Sequence, residues 1–202
     1  MASTYNQDVA RSFRTITEML RDRGVVSTHL ERLTGDDVIA AAGGKLLFHI
    51  DDSTSGYRII YDMSPKFKLG NIRKLLDPAN EQVKVYLVVV RDKQTVTPAA
   101  QKSVKELGGT GGFDVEFFDV KRLQYNLSKH SLVPKHEPVR DEKEIQDVLK
   151  RYILASRYHL PIILETDAMA EYLALRPGQI VRITRPSPSG GTTVLYRCCM
   201  RA

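Results

Sequence analysis

Asp92, Glu116, Asp119 and Lys121 are the residues whose types and spacing come nearest to catalysis in this chain. An acid on one strand followed by acid-x-Lys on the next would suit a metal-dependent nuclease. Carboxylates hold the divalent ion there, and a lysine lies near the nucleophile. Asp119, however, falls just after a predicted strand, where a short side-chain oxygen caps a helix. Motif matches this loose are common, so a stand-alone nuclease-like DNA-processing enzyme is the rival reading. Gly108-Gly-Thr-Gly-Gly112 invites a phosphate loop, but such a loop follows a strand and opens a helix, and this run follows a helix and opens a strand. Gly43-Gly-Lys45 lacks the following Ser/Thr and the earlier glycine; both runs read as loops or caps. His130 and His136 flank an extended segment with no further zinc ligands nearby, and His159 is isolated. Cys198 and Cys199 are adjacent and bridge each other poorly. No metal, cofactor or Ser-His-Asp order is expected.

The 202 residues suit one large domain or two small ones. Hydrophobic residues at 42% and charged residues at 27% argue against general disorder. The longest apolar run, Val85 to Val90, has the length of a strand and predicts no membrane span. Met-Ala-Ser-Thr-Tyr-Asn at the start predicts no secretory signal. A reducing compartment, cytosol or nucleus, fits the two cysteines. The net charge of +6 permits nucleic-acid contact. Residues 131–202 carry 11 Lys+Arg against 8 Asp+Glu, and the remainder 19 against 16, so each part is +3 and neither is a polycationic tail.

Hydrophobic periodicity supplies the elements that would position these groups. Val9, Phe13, Ile16 and Leu20 form one helical stripe with Gly24 as its C-cap. The opposite side bears Arg11, Arg14, Arg21 and Arg23, which read as a solvated face, the alternative being a basic stripe near phosphates. Thr34 to Asp37 forms a capping box for a short helix. Leu46–Ile50 and Tyr57–Tyr61 read as strands, Lys68–Leu76 as a helix stopped by Asp77-Pro78, and Val83–Val90 as a buried central strand. Thr97 caps a helix that opens on Pro98, with Ala100, Val104 and Leu107 inward and Lys102 and Lys105 on flanking surface. Val115–Phe118 is the next strand, with a short helix from Val120. Together these predict an α/β layered domain over residues 1–130. Two prolines, Pro134 and Pro138, favour extended chain at the junction.

A small α+β domain is predicted over residues 131–202. Asp141-Glu-Lys-Glu144 is a capping box before the stripe Ile145, Val148, Leu149 and Tyr152. Thr166 or Asp167 caps a second helix with Met169, Tyr172 and Leu173 inward. Gln179–Arg185 and Thr192–Met200 form a hairpin around the loop Pro186 to Gly191. Arg182, Arg185 and Arg197 are either solvated or engaged across a protein interface.

The segments His130-Ser-Leu-Val-Pro134-Lys-His136, Leu160-Pro-Ile-Ile163, Asp167 through Tyr172 and Arg176-Pro-Gly178 to Arg185-Pro-Ser187, and Tyr196-Arg197 resemble, in order, the assembly domain of the small subunit shared by nuclear RNA polymerases I, II and III. They also resemble its small archaeal relative, which lacks the jaw domain. Glu18 to Gly24, Leu69-Gly70-Asn-Ile72 and Thr97-Pro98-Ala-Ala-Gln-Lys102 resemble the eukaryote-specific jaw domain, and Glu116, Phe118, Leu123 and Asn126 continue that pattern. The resemblance implies a non-catalytic nuclear subunit of DNA-directed RNA polymerase. Residues 131–202 would be an assembly domain docked on the largest subunit, and residues 1–130 a jaw beside downstream duplex DNA. It implies interface roles for His130, Pro134, Tyr172, Arg185, Tyr196 and Arg197. It places Thr97, Pro98, Lys102 and Lys105 near DNA, held weakly and without sequence specificity. No cofactor, no membrane and no homo-oligomer is implied. A paralogue with other partners is a third possibility. The chain departs from the family at Ala168 and Ala174, where Pro and Gly are usual. It also departs in the hairpin loop at Pro188-Ser189 and Gly190-Gly191, and at the trailing Arg201-Ala202.

Overall fold

The computed structural model describes residues 2–52, 54–76, 82–187 and 190–201, with side chains from residue 4 onward. The chain is a mixed α/β protein that divides into two compact units, residues 1–125 and 126–202, each with a four-stranded sheet.

In the first unit, helices α1 (Ala2–Asp22), α2 (Thr28–Arg32) and α3 (Gly35–Ala42) precede the sheet. Val9, Phe13, Ile16 and Leu20 of α1 are all buried, as the stripe predicts. Gly24, at φ +81, ends the helix with Gly24 N–H donating to Arg21 O and Val25 N–H to Leu20 O, both at 2.9 Å. That bond pair is a Schellman end, and it needs the left-handed residue that glycine supplies. The capping box at Thr34 and Asp37 is present in both directions and opens α3. Helix α2, capped by Ser27, is too short to show a period and escapes the sequence reading.

Strands β1 (Leu47–Asp52), β2 (Tyr57–Asp62), β3 (Val85–Val90) and β4 (Asp114–Asp119) lie in that order, the first pair antiparallel and the rest parallel. Helices α4 (Leu69–Leu75) and α5 (Pro98–Gly111) cross between the parallel strands. The stop expected at Asp77-Pro78 lies outside the described residues. Residues 86–89 of β3 are fully buried, so both faces of the central strand are covered. Ile60, Val88 and Phe117, in register, join Ile72 of α4 and Val104 of α5 in one core. Tyr61 points to the other face, where Ser12 Oγ of α1 lies 3.2 Å from its hydroxyl. Burial pushes the Tyr61 hydroxyl pKa well up.

The glycine run 108–112 has a packing explanation. A Cβ on Gly108 would stand 2.4 Å from the Phe113 carbonyl oxygen, and Gly112 is the left-handed cap of α5. The run lets a helix turn tightly into β4.

In the second unit, strands β5 (Lys135–Val139), β6 (Ile162–Leu164), β7 (Ile180–Pro186) and β8 (Thr192–Met200) are ordered β5-β7-β8-β6, with β6 parallel to β8. The segment expected to be an extended junction is extended, but as strand β5 inside the second unit, since the units divide after residue 125; the hairpin forms as expected. Strand β6 escapes the sequence reading because three residues show no alternation. Helix α6 (Glu142–Arg151) packs Ile145, Val148 and Leu149 against Ile180, Tyr196 and Cys198. Asp141 caps it, accepting from Lys143 N–H at 3.1 Å. The expected capping box is not completed, because Glu144 accepts from Arg182 instead, at 3.2 Å. Tyr152 does not continue the buried stripe. The helix ends one residue earlier, and Tyr152 sits half-exposed with its ring edge-on to Tyr196 at 6.2 Å. Both cysteine thiols are buried and free, on opposite faces of β8, and burial raises the pKa of each.

Helix α7 (Ala168–Tyr172), capped by Asp167, turns Met169, Tyr172 and Leu173 inward. Ala174 follows at φ +53, with Leu175 N–H donating to Ala170 O at 2.9 Å. This is a Schellman end carrying alanine at the left-handed residue that glycine ordinarily takes. An L residue there is strained. Ala174→Gly is therefore expected to stabilise the chain by about 0.5–1 kcal/mol. The urea midpoint checks this.

Candidate functional site

The four groups of the nuclease reading do not converge. Glu116 accepts two hydrogen bonds from Arg23, from Nη2 at 2.8 Å and Nη1 at 3.2 Å. Asp119 accepts from the backbone of Lys121 at 2.8 Å and of Lys93 at 3.3 Å, capping the 3-10 turn Val120–Leu123. Asp92 accepts from Gln94 N–H at 2.9 Å, another turn cap. Glu116 and Asp119 are three residues apart on β4, which puts them on opposite faces. Among the described residues no group of three or more His, Cys, Asp or Glu side chains could hold a metal. The carboxylates serve turns and one ion pair.

The arginine side of α1 is only partly solvated. Arg14 lies 3.7 Å from Glu18 and Arg21 3.2 Å from Glu31, both at the surface. Arg23 is buried, contrary to the expectation, and its guanidinium lies 5.9 Å from the Phe118 ring centre. Sequence reasoning missed this pair. The available signal was Glu116, a lone acid inside the apolar run Val115 to Phe118, which calls for a buried partner.

The start of α5 is built as expected. Thr97 Oγ1 accepts from Ala100 N–H at 3.2 Å, Pro98 fills the first helical position, and no acid lies in the first turn. Lys102 and Lys105 are exposed beside a shallow open depression that Pro98, Gln101 and Glu106 also line. Glu106 stands 3.9 Å from Lys102, leaving one net positive charge from these three side chains.

In the second unit the hairpin register sorts the arginines. Arg185 pairs with Thr193 and Arg197 with Val181, so Arg185 and Arg197 share one face of the sheet. Arg182 pairs with Tyr196 on the opposite face. There Arg182 is held at 3.2 Å by Glu137 and by Glu144, an ion-pair group inside the unit. Hydrogen bonds from Lys135 and then Arg182 hold the Glu137 carboxyl below its ordinary pKa. Arg197 Nη1 donates to Ile162 O at 3.0 Å while staying exposed. Arg185 is exposed, and no ion pair or hydrogen bond engages its side chain among the described residues. Tyr172 and Tyr196 are nearly buried within the unit, the former with its hydroxyl 3.4 Å from Ser128 Oγ. His130 Nδ1 accepts from Leu132 N–H at 3.2 Å, and His136 Nδ1 lies 2.7 Å from Pro134 O. Both imidazoles thus shape local backbone. The arrangement offers an exposed bidentate donor on strand β7.

Known proteins resemble the chain over both units. The family model described as RNA polymerase Rpb5, C-terminal domain, matches residues 125–199. The chain is 28% identical over 190 residues to the DNA-directed RNA polymerases I, II, and III subunit rpabc1 of Dictyostelium discoideum, covering 93% of this chain and 94% of that protein. It is 30% identical over 152 residues to RPABC1 of Caenorhabditis elegans, covering 75% and 70%. It is also 28% identical over 190 residues to DNA-directed RNA polymerase V subunit 5A of Arabidopsis thaliana, covering 90% and 83%.

Proposed function

This chain belongs to the RPABC1 (Rpb5) family of DNA-directed RNA polymerase subunits, and we propose that within such an assembly it is a non-catalytic nuclear subunit. We assign residues 131–202, which lie in the second unit, as the assembly domain that docks on the largest subunit. Residues 1–130, the first unit with the five residues that follow it, form a layered jaw beside downstream DNA. The observation that carries this reading is the span of the likeness, which runs through both units and over 93% of the chain. Arg185 supports the docking face, being an exposed guanidinium with no ion pair or side-chain hydrogen bond among the described residues, on the same sheet face as Arg197.

Two experiments test the absence of catalysis and the jaw. The purified chain should not cleave DNA with Mg²⁺, since its carboxylates are occupied by turns and by Arg23. Cleavage that disappears on Asp119→Ala or Lys121→Ala would restore the nuclease rival.

The N-terminus of α5 would meet the DNA backbone through its amides and through Lys102 and Lys105, without reading bases. In the whole enzyme, Lys102→Glu with Lys105→Glu should lower the salt-dependence slope by about one unit per lost phosphate contact. Elongation complexes should be shortened most at low salt, with assembly unchanged. Equal lifetimes across a salt series would return these lysines to solvated surface.

A further inference from the structure

Ile153 occupies a conformation that strains the chain and a position from which it contributes no packing. Its φ is +54, the left-handed region, where a β-branched residue is an outlier. Ile153 N–H donates to Lys150 O at 3.1 Å and Leu154 N–H to Leu149 O at 2.9 Å. These bonds make Ile153 the residue of a Schellman end that glycine ordinarily takes. The apolar contact that often accompanies such an end is supplied by Leu154, which packs on the α6 core. The Ile153 side chain is 93% exposed, so no burial offsets the strain.

The residues beside it form one surface. Tyr152 is 46% exposed. Lys150 and Arg151 are exposed, and among the described residues neither makes an ion pair. Cations in a last helical turn complement its free carbonyls, which accounts for Lys150 and Arg151 but not for Ile153. Strain that persists without a packing reason is characteristic of functional contacts.

We propose that Lys150 to Ile153 is a docking knob for a neighbouring polymerase subunit. Ile153 and the Tyr152 ring enter an apolar recess, and Lys150 and Arg151 meet carboxylates on its rim. Aromatic and arginine side chains suit such a surface. Helix α6 packs on the Tyr196 and Cys198 face of the sheet, whereas Arg185 and Arg197 share the other face. The knob is therefore a contact separate from the arginine face. The inference rests on the polymerase-subunit reading.

The test compares full-length variants in two assays, thermal unfolding of the free chain and competition with tagged wild type for incorporation into the polymerase. Ile153→Gly relieves the strain and should raise the unfolding midpoint by about 2–4 °C. The same variant should need about tenfold higher concentration to compete. Ile153→Asn, which tolerates left-handed backbone, should move both readouts the same way. Lys150→Glu with Arg151→Glu should weaken competition without raising the midpoint. Higher stability with weaker assembly is an opposition that a merely structural residue does not produce. If both Ile153 variants compete like wild type, the knob is refuted while the subunit reading stands. If wild type itself does not enter the polymerase, both fall.

Discussion

Arg23→Met is expected to destabilise the first unit by about 3 kcal/mol, the lower end of the range for removing one partner of a buried ion pair. The Arg23 side chain is 3% exposed and that of Glu116 25%, at 2.8 Å. Loss of the guanidinium leaves a carboxylate inside a strand whose neighbours are apolar, and its partial exposure sets the cost below the top of the range. The contact with Phe118 is lost as well. Removing both charges, as Arg23→Met with Glu116→Leu, should recover much of the loss, because the uncompensated charge is then gone. Urea unfolding reads both variants. A single-variant loss no larger than about 0.5 kcal/mol, the scale of ordinary surface substitutions, would mean that the pair is solvated and that the burial argument fails.

Arg185→Glu combined with Arg197→Glu is expected to weaken incorporation into the polymerase by about 2–3 kcal/mol, roughly 30- to 150-fold. Both side chains are exposed on the face they share, and charge reversal places two carboxylates where a partner would present acids. The free chain should unfold almost as wild type does. Among the described residues Arg185 makes no ion pair or side-chain hydrogen bond, and Arg197 gives up its bond to Ile162 O, worth about 1 kcal/mol. Arg182→Met is the control from the other face. Its guanidinium is spent on Glu137 and Glu144, so it should cost stability and leave assembly alone. Equal incorporation of the double variant would remove this face from the interface.

The parts of the fold that rest on period and capping were legible from the chain. The Val9 to Leu20 stripe, the Thr34 and Thr97 caps, the unbroken β3 and the hairpin arginine alternation each follow from local chemistry. What escaped needed three-dimensional neighbours. Arg23 looked like a surface arginine because its partner lies 93 residues away. Tyr152 fitted the α6 stripe by spacing but fell at the helix end, where the period stops. Glu144 had a suitable spacing for a capping box and was taken by a strand arginine instead. Ile153 gave no warning, since nothing in its type announces positive φ. Among the candidate site residues, spacing along β7 and β8 could separate Arg182 from Arg185 by face. Only the sheet register shows that Arg185 and Arg197, on different strands, share a face.

Affinity purification of the tagged full-length chain, with mass spectrometry of what it retains, decides whether the chain is a polymerase subunit. The largest polymerase subunit and its companions should be recovered in near-equal amounts, stable to moderate salt. A chain recovered alone or only with copies of itself, or one that degrades DNA with Mg²⁺ in the absence of other polypeptides, would contradict it.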